Sequence, residues 1–143
     1  MQVATRAELE QAVDIARELR QRDRYNRIAY YDPYPYQLAF HETGALCNQR
    51  LLMEANRIGK SYCGSAEMSF HLTGLYPEWW KGKRFKQPIV GWAGGVSNET
   101  TRDIVQFELL GSPDDPEAFG SGTIPKKYII KTDASPVSLT PNQ

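Results

Sequence analysis

The chain has 143 residues, of which 41% are hydrophobic and 24% are charged, and its formal net charge at pH 7 is zero. These values are typical of one globular domain, and they exclude a disordered chain and a protein that binds nucleic acid through bulk positive charge alone. No run approaches the roughly 20 apolar residues of a membrane span, so no membrane contact is expected. The two cysteines, Cys47 and Cys63, lack a neighbouring cysteine or histidine and are interpreted as reduced, semi-buried thiols of a cytosolic protein.

Residues 5–24 predict an amphipathic helix. Thr5 and Glu8 have the spacing of a capping box, and apolar side chains recur at helical intervals at Leu9, Ala12, Val13, Ala16 and Leu19. The prolines of the following stretch, YYDPYPYQ, favour an extended turn. A short helix is then predicted from about residue 36 to residue 43, ending at Gly44.

The rest of the chain predicts an α/β fold. Apolar runs alternate with helical patterns in the order of a parallel sheet with crossover helices: strand 49–55, helix 60–74, strand 87–95, helix 97–111 and strand 124–131. The last residues, TDASPVSLTPNQ, are polar with two prolines and predict an unstructured tail.

The stretch EANRIGKSYC, residues 54–63, contains the Gly-Lys-Ser end of a phosphate-binding P-loop, although Glu54 stands where the usual leading glycine would be. A predicted strand, a turn and a predicted helix surround it in the order that such a loop requires. In this interpretation Lys60 reaches the β- and γ-phosphates and Ser61 gives its hydroxyl to Mg²⁺. The phosphates are wrapped by the backbone N–H groups of Asn56, Arg57, Ile58, Gly59 and Lys60. The alternative is a surface turn that caps an unrelated helix.

Arg57 lies within the loop itself. Its guanidinium could stabilise charge on the γ-phosphate during transfer, as an arginine finger supplied in cis. A solvent-facing side chain, or one paired with Glu54, is the alternative.

Four blocks of the sequence resemble the N-terminal ATPase region of tailed-phage terminase large subunits, the motors that package viral DNA into the procapsid. In order, they are PYPYQLAFH, RLLMEANRIGKS, HLTGLYPEWWKGKRF and GWAGGVSNETTRDIVQFELLG. The resemblance covers about residues 25–130 and accounts for the missing glycine, because the Walker A loop of that family is a variant with Asn-Arg before Gly-Lys-[Ser/Thr].

The resemblance implies an incomplete P-loop NTPase-like parallel sheet with flanking helices, preceded by the N-terminal amphipathic helix. The expected divisions are a helix and connector (1–32), a partial ATPase domain (33–131) and a polar tail (132–143). It also implies the cofactors ATP and Mg²⁺, with Lys60 and Arg57 as catalytic residues. Gln37 resembles the adenine-reading glutamine of the family, with Tyr34 or Tyr36 stacking on the base. Without the resemblance, Gln37 is an ordinary polar residue of a short helix.

By the same resemblance, the expected partners are double-stranded viral DNA, the small terminase subunit and the portal protein, with the motor forming a homo-oligomeric ring in the cytoplasm of the bacterial host. The second acidic element of a P-loop ATPase is not recognised, because YIIKTD, ending at Asp133, is a poor match. The expectation is therefore a piece of a longer protein that binds nucleotide without turnover. Two alternatives stay open: a non-catalytic module that docks on a partner through helix 5–24, and a fragment of another P-loop ATPase such as a helicase.

Two further features have competing interpretations. The segment 79–86, WWKGKRFK, carries four cations among three aromatic residues; it suits either a hydrophobic plug with solvated cations or a contact with DNA or a neighbouring subunit. His41 and His71 lie far apart in sequence with no carboxylate partner nearby, and both are interpreted as structural histidines.

Overall fold

The computed structural model of the protein describes residues 5–129. The first helix, α1 (Arg6–Arg24), begins where the sequence predicts, because Thr5 and Glu8 form the expected capping box. None of its residues is buried, and its apolar stripe, including Leu9 and Val13, is about half exposed. At the C-terminal end of α1, the Tyr25 hydroxyl donates to the carbonyl oxygen of Glu117 at 2.7 Å.

Two helices build the centre of the molecule. After a 3₁₀ turn (Arg27–Tyr30) come α2 (Pro35–Thr43) and α3 (Lys60–Thr73), close to the predicted bounds. Pro35 occupies the first turn of α2, where its missing N–H has no helical acceptor to lose. Helix α3 ends at Gly74, as predicted. It buries six residues and packs against α2.

The hydrophobic core forms around α3. Its buried members come from the 3₁₀ turn and its exit, from α3 and from the segment after α3: Ile28, Tyr31, Ala66, Phe70 and Trp80. The rings of Tyr62, Tyr76 and Trp79 pack against this cluster. Edge-to-face contacts are frequent among them; the centroids of Phe70 and Trp80 lie 5.2 Å apart.

A further helical stretch covers residues 98–110 without a break. It consists of α4 (Asn98–Thr100), a π-helical stretch (Thr101–Gln106) and α5 (Phe107–Leu110), and Ser97 caps its start by accepting from the N–H of Thr100 at 3.1 Å. The terminal carbonyls of Glu108, Leu109 and Leu110 accept hydrogen bonds from the N–H groups of Thr123, Ile124 and Gly120. The segment after α5 therefore folds back to satisfy groups that a helix end leaves unpaired.

The predicted α/β fold is wrong, because residues 5–129 contain no β-strand. A strand needs a neighbouring strand to pair its backbone groups, and neither 49–55 nor 87–95 makes such a ladder with another described segment. Most of their apolar side chains are exposed instead, Leu51 by 79% and Trp92 by 91%. In the predicted strand 124–131, a 3₁₀ turn occupies Lys126–Tyr128, and residues 130 and 131 lie outside the described range.

The predicted tail 132–143, including Asp133, also lies outside the described residues. No helix within 5–129 is long and apolar enough to cross a membrane.

Candidate functional site

The Gly-Lys-Ser loop leads directly into α3, as the sequence predicts. Gly59 is the N-cap residue of α3 and has a left-handed backbone with φ +85°, which glycine adopts without strain. Arg57 is also left-handed, with φ +63°, an uncommon conformation for a residue with a side chain. Two left-handed residues so close together bend the backbone sharply into the helix, and the first helical hydrogen bond runs from the N–H of Cys63 to the carbonyl of Gly59 at 2.9 Å.

The side chain of Lys60 folds back over the loop. Its ammonium donates to the carbonyl oxygens of Glu54 and Ala55, both at 2.6 Å. These hydrogen bonds close residues 54–60 into a ring, with the Lys60 ammonium bonded to its first two residues. The other predicted residues of the loop lie on its outside: Asn56, Arg57 and Ser61 are exposed, and Ile58 is half-buried.

Two side chains of α2 donate hydrogen bonds to the loop. The Tyr36 hydroxyl donates to the carbonyl of Ile58, and the Gln37 side-chain amide donates through Nε2 to the carbonyl of Gly59 at 3.2 Å. The structure thus brings Gln37 into contact with the loop. A Cβ added to Gly59 would lie 3.2 Å from Nε2 of Gln37, so this close approach also favours glycine.

Gln37 is only 2% exposed, and both ends of its amide are engaged within the protein. Its Oε1 accepts from the N–H of Tyr34 at 2.9 Å and from the Tyr31 hydroxyl at 3.4 Å. The rings of Tyr34 and Tyr36 stack on each other, with their planes inclined by 14°. Contact of Gln37 with adenine stays a prediction.

A buried ionic network lies behind the loop, centred on Glu67 of α3. The carboxylate accepts from Nδ1 of His41 at 2.7 Å and from both terminal nitrogens of Arg50, and Nε2 of His71 lies 3.4 Å away. Burial by itself would raise the pKa of the Glu67 carboxyl, but hydrogen bonds from His41, His71 and Arg50 outweigh it and hold that pKa well below its usual range. Glu67 therefore joins α3, α2 and the segment that enters the loop.

Sequence reasoning missed this network. Both histidines share Glu67, so the prediction that they have no carboxylate partner nearby is wrong, whereas their structural interpretation is confirmed. The spacing of Glu67 and His71, four residues apart on one helix, was the one available signal. Arg50 and His41 are 17 and 26 residues from Glu67, and no local sequence pattern predicts pairs at such distances.

Cys63, His41 and Glu67 are arranged like a thiol nucleophile, its base and an orienting acid. The Cys63 sulfur lies 3.5 Å from Nε2 of His41, whose Nδ1 contacts Glu67. The thiol is completely buried, however, and burial raises its pKa to about 11. The Tyr31 hydroxyl is closer to the same Nε2, at 2.9 Å. A nucleophile must be ionised and reachable, so this cysteine is structural; Cys47, by contrast, is exposed.

The aromatic and basic segment 79–86 packs against the core: Trp80 is buried and Trp79 contacts the cluster. This confirms the packing part of the hydrophobic-plug interpretation, but its cations are not merely solvated. Three of its cations contact neighbouring side chains. Lys81 pairs with Glu42 at 3.2 Å, and Lys83 and Arg84 lie over aromatic rings. Contact with DNA stays a prediction.

Among residues 5–129, no group of three or more His, Cys, Asp or Glu side chains is placed to hold a metal ion. The serine predicted to meet Mg²⁺ through a bound nucleotide, Ser61, is exposed at the start of α3.

Comparison with known proteins gives two matches. The family model described as terminase large subunit, T4likevirus-type, N-terminal, matches residues 51–140, which include the Gly-Lys-Ser loop and exclude Gln37. The large terminase subunit of Salmonella phage P22 is 35% identical over an alignment of 142 positions, which covers 89% of this chain and 28% of that relative. The chain thus spans less than a third of the length of the curated relative that it matches. No solved structure matches the chain.

Proposed function

This chain belongs to the family of T4likevirus-type terminase large subunits, in their N-terminal region, and on that premise we propose that it binds ATP with Mg²⁺ for the packaging of phage DNA. The observation that carries the proposal is the loop at the start of α3, which combines a left-handed glycine, a lysine ammonium and the N-terminal N–H groups of a helix. These are the donors that a chain of phosphates requires.

The residues present fit a nucleotide. The first N–H groups of α3 have no acceptor within the helix, and the positive end of its dipole favours an anion. Lys60 would hold the phosphates together with the backbone N–H groups of residues 56–60, and Ser61 would meet Mg²⁺. The bound nucleotide supplies the phosphoanhydride whose cleavage powers translocation of DNA in the complete motor.

Lys60 must exchange partners when phosphate binds. Its ammonium donates to two neutral carbonyl oxygens, those of Glu54 and Ala55. Phosphate oxygens are negatively charged, so Coulomb attraction to the ammonium adds to the hydrogen bonds, and they compete well with these neutral carbonyls. Arg57, exposed beside it, is proposed to approach the γ-phosphate in cis.

The test is a titration of the purified chain with a fluorescent ATP analogue and Mg²⁺, with phosphate release followed in parallel. Lys60→Ala should weaken binding by about 10- to 100-fold, the loss expected for charged hydrogen bonds. Lys83→Ala is the matched control, because Lys83 also follows a glycine but lies outside the loop. Binding that is equal in the wild type and in Lys60→Ala would contradict the proposal.

The exposed stripe of α1 favours a second candidate function, that of an interaction module within the packaging complex. Leu9, Val13 and Leu19 are 46–57% exposed and contact no buried core. The proposed partners in the bacterial cytoplasm are the small terminase subunit, the portal protein, viral DNA and further copies of this chain. Sedimentation with the small subunit discriminates the two functions: Leu9→Ser with Val13→Ser should abolish an association through α1, whereas Lys60→Ala should leave it unchanged.

A further inference from the structure

Two consecutive residues of α2 donate hydrogen bonds to two consecutive carbonyls of the loop. Tyr36 donates through its hydroxyl to Ile58, and Gln37 donates through Nε2 to Gly59. Both donors are separated from their acceptors by 22 residues of sequence. This contact therefore exists only because α2 and the loop pack together.

These hydrogen bonds determine the direction of two backbone donors. In a planar trans peptide, the carbonyl oxygen and the N–H of the next residue point to opposite sides. When the carbonyl of Ile58 faces Tyr36, the N–H of Gly59 must face away from α2. When the carbonyl of Gly59 faces Gln37, the N–H of Lys60 must do the same. These two N–H groups belong to the set proposed to hold phosphates.

Further contacts determine the orientation of the Gln37 amide. Its Oε1 accepts from the N–H of Tyr34 and from the hydroxyl of Tyr31, which leaves Nε2 to face Gly59. Rotation of the amide by 180° would place Oε1 against the carbonyl oxygen of Gly59, where neither atom can donate. The amide is therefore locked in the orientation that holds the loop.

The hydrogen bonds that orient the Gln37 amide connect to the ionic network centred on Glu67. The Tyr31 hydroxyl lies 2.9 Å from His41, and His41 lies 2.7 Å from Glu67. Glu67 lies on α3, the helix that follows the loop, and Arg50, which pairs with Glu67, lies in the segment that precedes the loop. Buried polar groups that are fully paired hold a unique geometry, because any shift leaves one of them without a partner.

We propose that Gln37 and Tyr36 are positioning residues, which hold the N–H groups of Gly59 and Lys60 toward a triphosphate whatever base it carries. The inference rests on the proposed function, since it requires the loop to bind phosphates. It assigns to Gln37 a role different from the reading of adenine. The two roles differ in one measurable respect, because a positioning residue affects ligands that have no base.

The experiment compares three ligands, each with Mg²⁺: ATP, GTP and inorganic tripolyphosphate. Dissociation constants are measured by calorimetry for the wild type, Gln37→Ala, Gln37→Glu and Tyr36→Phe. Gln37→Ala should weaken all three ligands by the same factor, about tenfold for the loss of one structural hydrogen bond. Gln37→Glu, which replaces the donor by an acceptor, should weaken them at least as much, and Tyr36→Phe should act in the same direction. Ala39→Ser, exposed on the same helix, is the control and should change nothing.

A second readout is hydrogen exchange at the N–H groups of Gly59 and Lys60. Tripolyphosphate should slow it in the wild type and slow it less in Gln37→Ala. Should Gln37→Ala unfold, Tyr36→Phe carries the same test, because it removes only one hydroxyl.

Equal weakening of the three ligands supports the inference. A loss confined to ATP, with GTP and tripolyphosphate unchanged, would show that Gln37 reads adenine and would overturn it, as would unchanged binding of all three. If the wild type binds none of them and behaves as Lys60→Ala does, the proposed function fails and the inference fails with it. Binding by the wild type that Lys60→Ala abolishes and Gln37→Ala leaves intact would overturn the inference alone.

Discussion

Helices α1 and α3 are stabilised in opposite ways. Helix α1 has 19 residues, none of them buried, and its stabilising contacts are mostly local: a capping box at Thr5 and an exposed pair between Arg6 and Glu10. Helix α3 has 14 residues, six of them buried, and it begins on a glycine without a side-chain cap. Short-range sequence signals thus suffice for α1, whereas α3 depends on contacts with distant parts of the chain.

This difference suggests that α3 determines the stability of the fold, whereas the exposed face of α1 is free to contact partners. The hydrophobic core and the ionic network both include buried residues of α3, so the loop that leads into α3 is supported by a helix with many buried contacts. Helix α1 presents its apolar stripe to solvent and contributes little to that core. Changes on α3 should therefore affect the whole described domain, and changes on α1 should stay local.

The largest expected effect is that of Phe70→Ala on α3. Phe70 is 2% exposed and contacts Tyr31, Trp79 and Trp80, so its truncation leaves a cavity that the rigid rings cannot fill. The free energy of unfolding should fall by about 3–5 kcal/mol. Urea denaturation followed by tryptophan fluorescence measures it. The matched change on α1, Leu9→Ala, truncates a side chain that is 57% exposed and should lower the free energy of unfolding by less than about 1 kcal/mol. Equal losses for the two variants would contradict the contrast between α1 and α3.

Glu67→Gln should have the next largest effect. It removes the carboxylate that Arg50 and His41 share and leaves the half-buried Arg50 cation, whose side chain is 21% exposed, without its partner, which costs about 3 kcal/mol. The control, Glu10→Gln on α1, breaks a pair whose side chains are 93% and 65% exposed and should change the free energy of unfolding by less than about 0.5 kcal/mol.

The same variant should flatten the dependence of stability on pH. The pKa of Glu67 is lower in the folded chain than its ordinary value of 4.5, so its ionised form stabilises the fold above that value. This contribution should decrease as the pH falls below about 4.5, because the unfolded chain then takes up the proton first. Denaturation at a series of pH values between 3 and 6 should show a steeper loss in the wild type than in Glu67→Gln. Parallel curves would show that Glu67 does not carry this dependence.

These contrasts also explain which features could be predicted from the sequence. Helix α1 follows from Thr5, Glu8 and a regular apolar spacing, all within one segment. The loop before α3 follows from Gly59, Lys60 and Ser61, because the Gly-Lys-Ser pattern couples a turn to a helix start. Both predictions use neighbours in sequence.

The fold class could not be predicted in the same way. An apolar run such as 49–55 has the composition of a strand, but a strand exists only with a partner, and composition does not identify one. The network of Glu67 was missed for a related reason, since Arg50 and His41 reach it through the packing of three segments. The features that support the loop are therefore those that sequence patterns describe least well.

The smallest expected effect is that of Thr5→Ala at the start of α1. Loss of the cap removes the acceptor of the Glu8 N–H and should destabilise the helix by about 1 kcal/mol. Because α1 buries no residue, we expect its first turn to fray and the unfolding midpoint of the domain to stay unchanged. Hydrogen exchange should be faster at the amides near residue 8 and unaltered in α3. If the midpoint moved together with the exchange of α1, the two helices would belong to one cooperative unit, and the stripe of α1 would have to be covered when the chain is folded.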